Sequence, residues 1–112
     1  MTRLVGTAIA RELYFTGRPV DANEPLSLGL VNRVVPDEEL ATATIELARS
    51  LAQGPSIALC LIKRTLNCAG SSGLAELLDM EATHQVQTGR TEDHREAARA
   101  FVEKRVPIFT GH

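Results

Sequence analysis

The side chains with the most chemistry in this 112-residue sequence are three histidines, two cysteines and 14 carboxylates. His84, His94 and His112 are far apart and lie in polar contexts, which predicts surface positions. His84 stands beside Gln85 on a stretch that turns polar, and of the three it is best placed to face a cleft. No segment has the spacing of a His-Glu-x-x-His metal site, a phosphate-binding loop or a nucleophile elbow. Glu12, Glu81 and Glu96 are the carboxylates most embedded in amphipathic stretches. A general acid or base needs its pKa brought toward neutrality by burial or by a like charge. The simpler expectation for each is a solvated or ion-paired carboxylate. Glu92-Asp93 reads as acidic charge at a helix start rather than as a metal site. Cys60 and Cys68 are eight residues apart on one predicted helix. That is more than two turns and beyond disulfide reach, so both are expected as reduced core residues of a cytoplasmic protein. No residue is assigned a catalytic or metal-ligating role.

The run Phe101 to Phe109 is more informative. Phe101 and Lys104 are one helical turn apart and, on a continuous helix, face the same way. A flat ring beside an ammonium can stack on a base while the ammonium pairs with a phosphate, which suits a ligand with a nucleotide tail. The alternative is Phe101 in a core and Lys104 as a solvated charge at a helix end.

These residues need elements to hold them. Leu4, Ala8, Arg11, Glu12 and Phe15 predict a helix over 3–15, with Gly17 placed to end it. Asp21 with Glu24 forms a capping-box pattern for a short second helix, and Gly29 ends it. Leu30 to Val35 reads as a short strand or an extended link. Asp37 is expected to cap a helix over 38–53, whose face carries Leu40, Thr44, Leu47, Ala48 and Leu51. Gly54-Pro55 breaks the chain. Ser56 to Cys68 is apolar almost all round and is expected to be the most buried helix. After the loop Gly70 to Gly73, Leu74 opens a helix that ends at Gly89. Thr91 caps the last helix, predicted to run through Arg105 and to close at Pro107.

The composition is that of a globular protein, with 44% hydrophobic and 23% charged residues. Twelve basic against 14 acidic residues give a formal net charge of -2. That balance argues against nucleic acid or an anionic membrane as the main partner. The longest apolar run, Ile57 to Ile62, is too short to span a bilayer, and the start shows no signal-peptide pattern. The length suits one domain.

Several segments, taken in order, resemble the enoyl-CoA hydratase/isomerase (crotonase) family. They are Arg3-Leu4-Val5-Gly6, Thr16-Gly17-Arg18-Pro19-Val20-Asp21-Ala22, the stretch Ser27 to Pro36, and Ile62-Lys63-Arg64. Glu81 with Gln85, Asp93-His94-Arg95-Glu96, Ala100 to Arg105 and Pro107-Ile108-Phe109 complete the set. Pro25 and Ala97 are small departures, standing where Ala and Gly are usual. The resemblance implies an all-α fold of five to six helices with at most one short extended segment, residues 1–112 forming the C-terminal helical region of a crotonase-type fold. It implies a coenzyme A thioester as substrate of the family, with Phe101 and Lys104 near the adenine and phosphate. In the family the oxyanion amides and catalytic carboxylates belong to an N-terminal spiral that no position here matches. The expectation is therefore a chain inactive alone, binding acyl-CoA weakly if at all. Helices of this kind cover the acyl pocket and meet neighbouring subunits, so a homo-oligomer is expected, with Leu4, Phe15, Leu74, Leu77 and Phe101 as candidate exposed apolar surface. The competing view is a non-enzymatic helical module that self-associates or binds a partner.

Overall fold

A computed structural model describes all residues, 1–112, and contains six α-helices, one 3-10 turn and no strand. The all-α expectation holds. The chain divides into two compact units, Met1–Thr44 and Ile45–His112, with the division falling inside one helix.

In the first unit, α1 (Thr2–Thr16) is kinked at Gly6, whose φ of 77° is not helical. It buries Ala10 and Leu13. It ends at Gly17, which takes φ 57° and donates its N–H to the Leu13 carbonyl. A left-handed residue closes a helix at least cost when it is glycine. α2 (Asn23–Ser27) follows. The Asp21 carboxylate accepts from the Asn23 and Glu24 N–H groups at 2.7 and 3.1 Å, which is half of the expected capping box. The other half is not made. The Glu24 carboxylate turns instead to the guanidinium of Arg18, which also bonds Glu12 at 3.3 Å. An arginine fork offers a carboxylate two charged donors, more than the single backbone N–H of a capping box. Arg18 is pushed above its ordinary pKa chiefly by the hydrogen bond to Glu24, and Glu24 is lowered chiefly by the same bond. Leu30 to Val35 is a link, not a strand: the N–H groups of Leu30 and Val31 return to the Pro25 carbonyl at 2.8 and 3.4 Å. Asp37 does not cap. It opens a 3-10 turn, Asp37–Glu39, in which Glu39 donates to the Pro36 carbonyl. α3 (Leu40–Ala52) leads on, and its apolar face of Leu40, Leu47 and Leu51 is exposed.

In the second unit, α4 (Ser56–Cys68) and α5 (Leu74–Gly89) pack as a helical hairpin, and α5 touches α6 (Glu92–Glu103). α4 has the largest share of residues withdrawn from full exposure, Ile57, Ala58, Leu59, Leu61, Thr65 and Cys68, as expected, although α1 and α6 each bury two residues fully. Leu61 is its only buried residue, while Ile62 and Leu66 are exposed. Cys60 is exposed and Cys68 half-buried, so neither is a core residue, and both thiols are free. α6 starts as expected, with Thr91 Oγ1 accepting the His94 N–H at 3.1 Å. It buries Ala100 and, unexpectedly, Asp93. Leu4, Phe15, Leu74 and Phe101 are exposed as anticipated, whereas Leu77 is half-buried. No helix is long and apolar enough to cross a membrane.

Candidate functional site

The helix that carries Phe101 stops earlier than its sequence suggests. α6 ends at Glu103, and Lys104 adopts the left-handed conformation at φ 53° and ψ 40°. The Lys104 N–H donates to the Phe101 carbonyl at 3.3 Å, and the Arg105 N–H to the Ala100 carbonyl at 3.0 Å. These two bonds are the Schellman closure, normally built on glycine. Lys104 is the only non-glycine residue of the chain with positive φ. A side chain in this region costs about 1–2 kcal/mol. Lys104 is therefore not on the helical face, and the turn rather than the i, i+3 spacing sets its direction. Phe101 is 85% exposed, which excludes the core alternative within its unit. An aromatic ring and an ammonium thus stand free at one end of α6.

Past the turn, the chain doubles back along α6. Arg105 holds Glu96 through both carboxylate oxygens, the Nη2–Oε2 bond measuring 2.9 Å, and its Nε reaches Glu103 at 2.6 Å. Glu96 Oε1 also accepts the Ile108 N–H at 3.1 Å. One turn nearer the helix start, the Asp93 carboxylate is only 2% exposed. It accepts the N–H groups of Thr110 and Gly111 at 2.7 and 3.0 Å, while its own N–H donates to the His112 carbonyl. Two carboxylates one turn apart lie on one helix face, and here they pin the whole tail. The hydrogen bond from Arg105, with that from Ile108, lowers Glu96 to about 2. That direction is opposite to what a general acid at neutral pH needs.

The second feature is a cleft of about 330 Å³ between α4 and α5. Leu61, Ile62 and Leu66 line one wall, and Glu81, His84 and Gln85 the other. His84 does face a cleft, half-buried, with Nδ1 2.9 Å from Thr65 Oγ1. His94 and His112 are exposed and do not line this cleft, His94 standing instead at a neighbouring hollow that shares Ala58, Gln85 and Thr88 with it. Glu12 belongs to the other unit, paired with Arg18. Within the second unit Glu81 lines the cleft and Glu96 is held by Arg105, so these two carboxylates are not brought together, and no three His, Cys, Asp or Glu residues cluster as a metal site. Sequence reasoning missed Asp93 and the Glu96–Arg105 pair, because their partners lie 9 to 18 residues away. A missing glycine at the end of α6 was the one local sign of an unusual turn.

Comparison with known proteins is consistent along the whole chain. A family model described as enoyl-CoA hydratase/isomerase matches residues 1–112. The chain is 40% identical over 111 residues to a 1,2-epoxyphenylacetyl-CoA isomerase of Escherichia coli (strain K12), covering 99% of this chain and 42% of that protein. It is 34% identical to a methylmalonyl-CoA decarboxylase of the same organism, covering 100% of this chain and 44% of that one. A crystal structure of a putative enoyl-CoA hydratase/isomerase from Mycobacterium abscessus superposes with a TM-score of 0.94 at 32% identity, covering 99% of this chain and 43% of that one. The chain therefore spans less than half the length of these relatives, and it matches the C-terminal helical part of crotonase-type structures. With every residue inside the match and the helices superposing, the chain belongs to the enoyl-CoA hydratase/isomerase family.

Proposed function

We propose that this chain forms the coenzyme A-contacting, subunit-facing helical part of an enzyme acting on acyl-CoA thioesters. The observation that carries the reading is the free end of α6, where Phe101 is exposed and Lys104 is kept in a left-handed turn that a glycine fills at lower cost. Phe101 stacks on the adenine and Lys104 pairs with a phosphate of the ligand. The names of the relatives support the ligand more than the reaction. One is an isomerase, one a decarboxylase and another a short-chain-enoyl-CoA hydratase, and coenzyme A is the common word. In this reading the thioester chemistry belongs to oxyanion amides and carboxylates that these 112 residues do not match. The chain by itself then binds coenzyme A weakly. One stack and one exposed charge pair together supply on the order of 1–3 kcal/mol, less than the cost of immobilising a ligand. Calorimetry with coenzyme A tests this: weak binding is expected, removed by Phe101→Ala and reduced by Lys104→Ala. Binding that neither substitution touches overturns the assignment of these two residues.

A second reading has its own observation. Phe101, Val102, Val106 and Ile108 are all at least 76% exposed within ten residues, and Phe15 and Leu74 are exposed elsewhere. Each large apolar side chain left in water forgoes roughly 1.5–3 kcal/mol, and patches of this kind become interfaces. Self-association is the proposal, with a symmetric homo-oligomer as the simplest closed form. It is compatible with the first reading, because one surface can meet both a ligand and a second copy.

A further inference from the structure

The Glu96–Arg105 pair does more than close a salt bridge on the surface. Arg105 directly follows the left-handed Lys104, and its backbone N–H makes the longer of the two closing spans, back to Ala100. Its guanidinium is held by both oxygens of Glu96 and by Glu103, so the reversal after Lys104 is fixed on two sides. Glu96 also takes the Ile108 N–H, and Asp93 takes those of Thr110 and Gly111. The bonds that Glu96 and Asp93 make to residues 105, 108, 110 and 111 all require the chain to turn back after α6. Lysine opposes that turn, since a non-glycine residue is biased roughly 5- to 30-fold against the left-handed region.

We propose that Glu96 and Arg105 are positioning residues that lock Lys104 in its left-handed turn and so set the direction in which its ammonium leaves the end of α6. Neither residue touches the ligand. The inference rests on the reading of Phe101 and Lys104 as the coenzyme A contact. It adds the reason that a lysine can be kept there at all: the carboxylate that binds the next residue offsets the local bias.

The test uses the full chain, Glu96→Gln and Arg105→Lys. The Gln variant keeps an oxygen for Ile108 but loses the charge; the Lys variant keeps a charge but loses the two-pronged fork. Nuclear magnetic resonance reads two things at once. The amide–α-proton coupling and α-carbon shift of Lys104 report its φ, and shifts on titrating free coenzyme A report affinity at the same residues. Helical shifts over 93–100 show that α6 remains folded. In both variants Lys104 is expected to leave the left-handed region in part, and coenzyme A affinity to fall about threefold to tenfold, in step with that loss. If the parent shows no coenzyme A-induced shifts at 101 and 104, the ligand reading fails and takes the ligand role of the clamp with it. Should the parent bind while both variants keep the turn and the affinity, the clamp alone is overturned. A turn lost with affinity unchanged overturns the positioning role equally.

Discussion

Asp93 offers the most direct perturbation. Its carboxylate is buried and accepts two backbone N–H groups of the tail at 2.7 and 3.0 Å. Hydrogen bonds to a charged acceptor contribute about 1.5–3 kcal/mol each. Removing both by Asp93→Ala does not cost the full sum, because the freed Thr110 and Gly111 N–H groups reach water once the tail peels away. A net loss of about 2–4 kcal/mol in tail docking is the expectation. Asp93→Asn keeps the shape but only one accepting oxygen, and its NH2 faces one of the two donors, so an intermediate loss is expected. Because peeling is local, hydrogen exchange is a better assay than a melting curve. The Thr110 and Gly111 amides should exchange roughly 30- to 1,000-fold faster in the Ala variant, with α6 amides near Ala100 protected as before. Glu92→Ala serves as control. Glu92 is an exposed neighbour whose partner is Arg95, and pairs of that kind contribute little. Unchanged exchange at residues 110 and 111 in Asp93→Ala refutes the pinning of the tail by this carboxylate.

Three further outcomes are expected. Glu96 is lowered from 4.5 to about 2 in the folded chain, first by the Arg105 hydrogen bond and then by that of Ile108. The folded state therefore binds fewer protons than the unfolded one, so this contribution is complete above pH 4.5 and is lost as pH falls toward 2; melts across that window should lose less stability in Glu96→Gln than in the parent, and equal losses contradict the assignment. In the proposed reading, where the oxyanion donors lie outside these 112 residues, the purified chain should show no turnover of crotonyl-CoA, since loss of even one such donor costs roughly 10²–10³ in rate; product formation in proportion to added chain defeats this expectation. Sedimentation equilibrium over a hundredfold concentration range should show a mass above 12.1 kDa that rises with concentration; a mass constant at one chain, without binding of a dye for apolar surface, removes the basis for self-association.

Local chemistry was legible in the sequence at several element ends. Gly17 ends α1, Thr91 caps α6 and the loop at 70–73 separates α4 from α5, each through the mechanism its residue type suggests. The failures around α6 share one physical cause, which is that the deciding partner lies far along the chain, whereas at Asp37 and Glu24 the competing partners are only a few residues away. The Glu24 carboxylate was open to a local backbone N–H but found Arg18. Asp93 looked like helix-start charge because nothing nearby in sequence names residues 110–112 as its donors. The apolar residues of α4 show how much surface needs cover, but composition does not say what covers it, and of α4 itself only Leu61 is fully buried. The end of α6 is the most instructive case. Pattern rules look for glycine at a helix terminus, found none before Gly111, and extended the helix through Arg105. The helix nonetheless closes at Lys104 in the conformation glycine favours. A residue held against its local preference by long-range contacts points to a use for its side chain. Thus the feature that hid the turn from sequence reasoning is the same one that singles it out in the structure. If Lys104 served only to end a helix, Lys104→Gly would stabilise the chain by about 1 kcal/mol at no cost in binding. In the ligand reading, the same substitution should raise stability and weaken coenzyme A binding together.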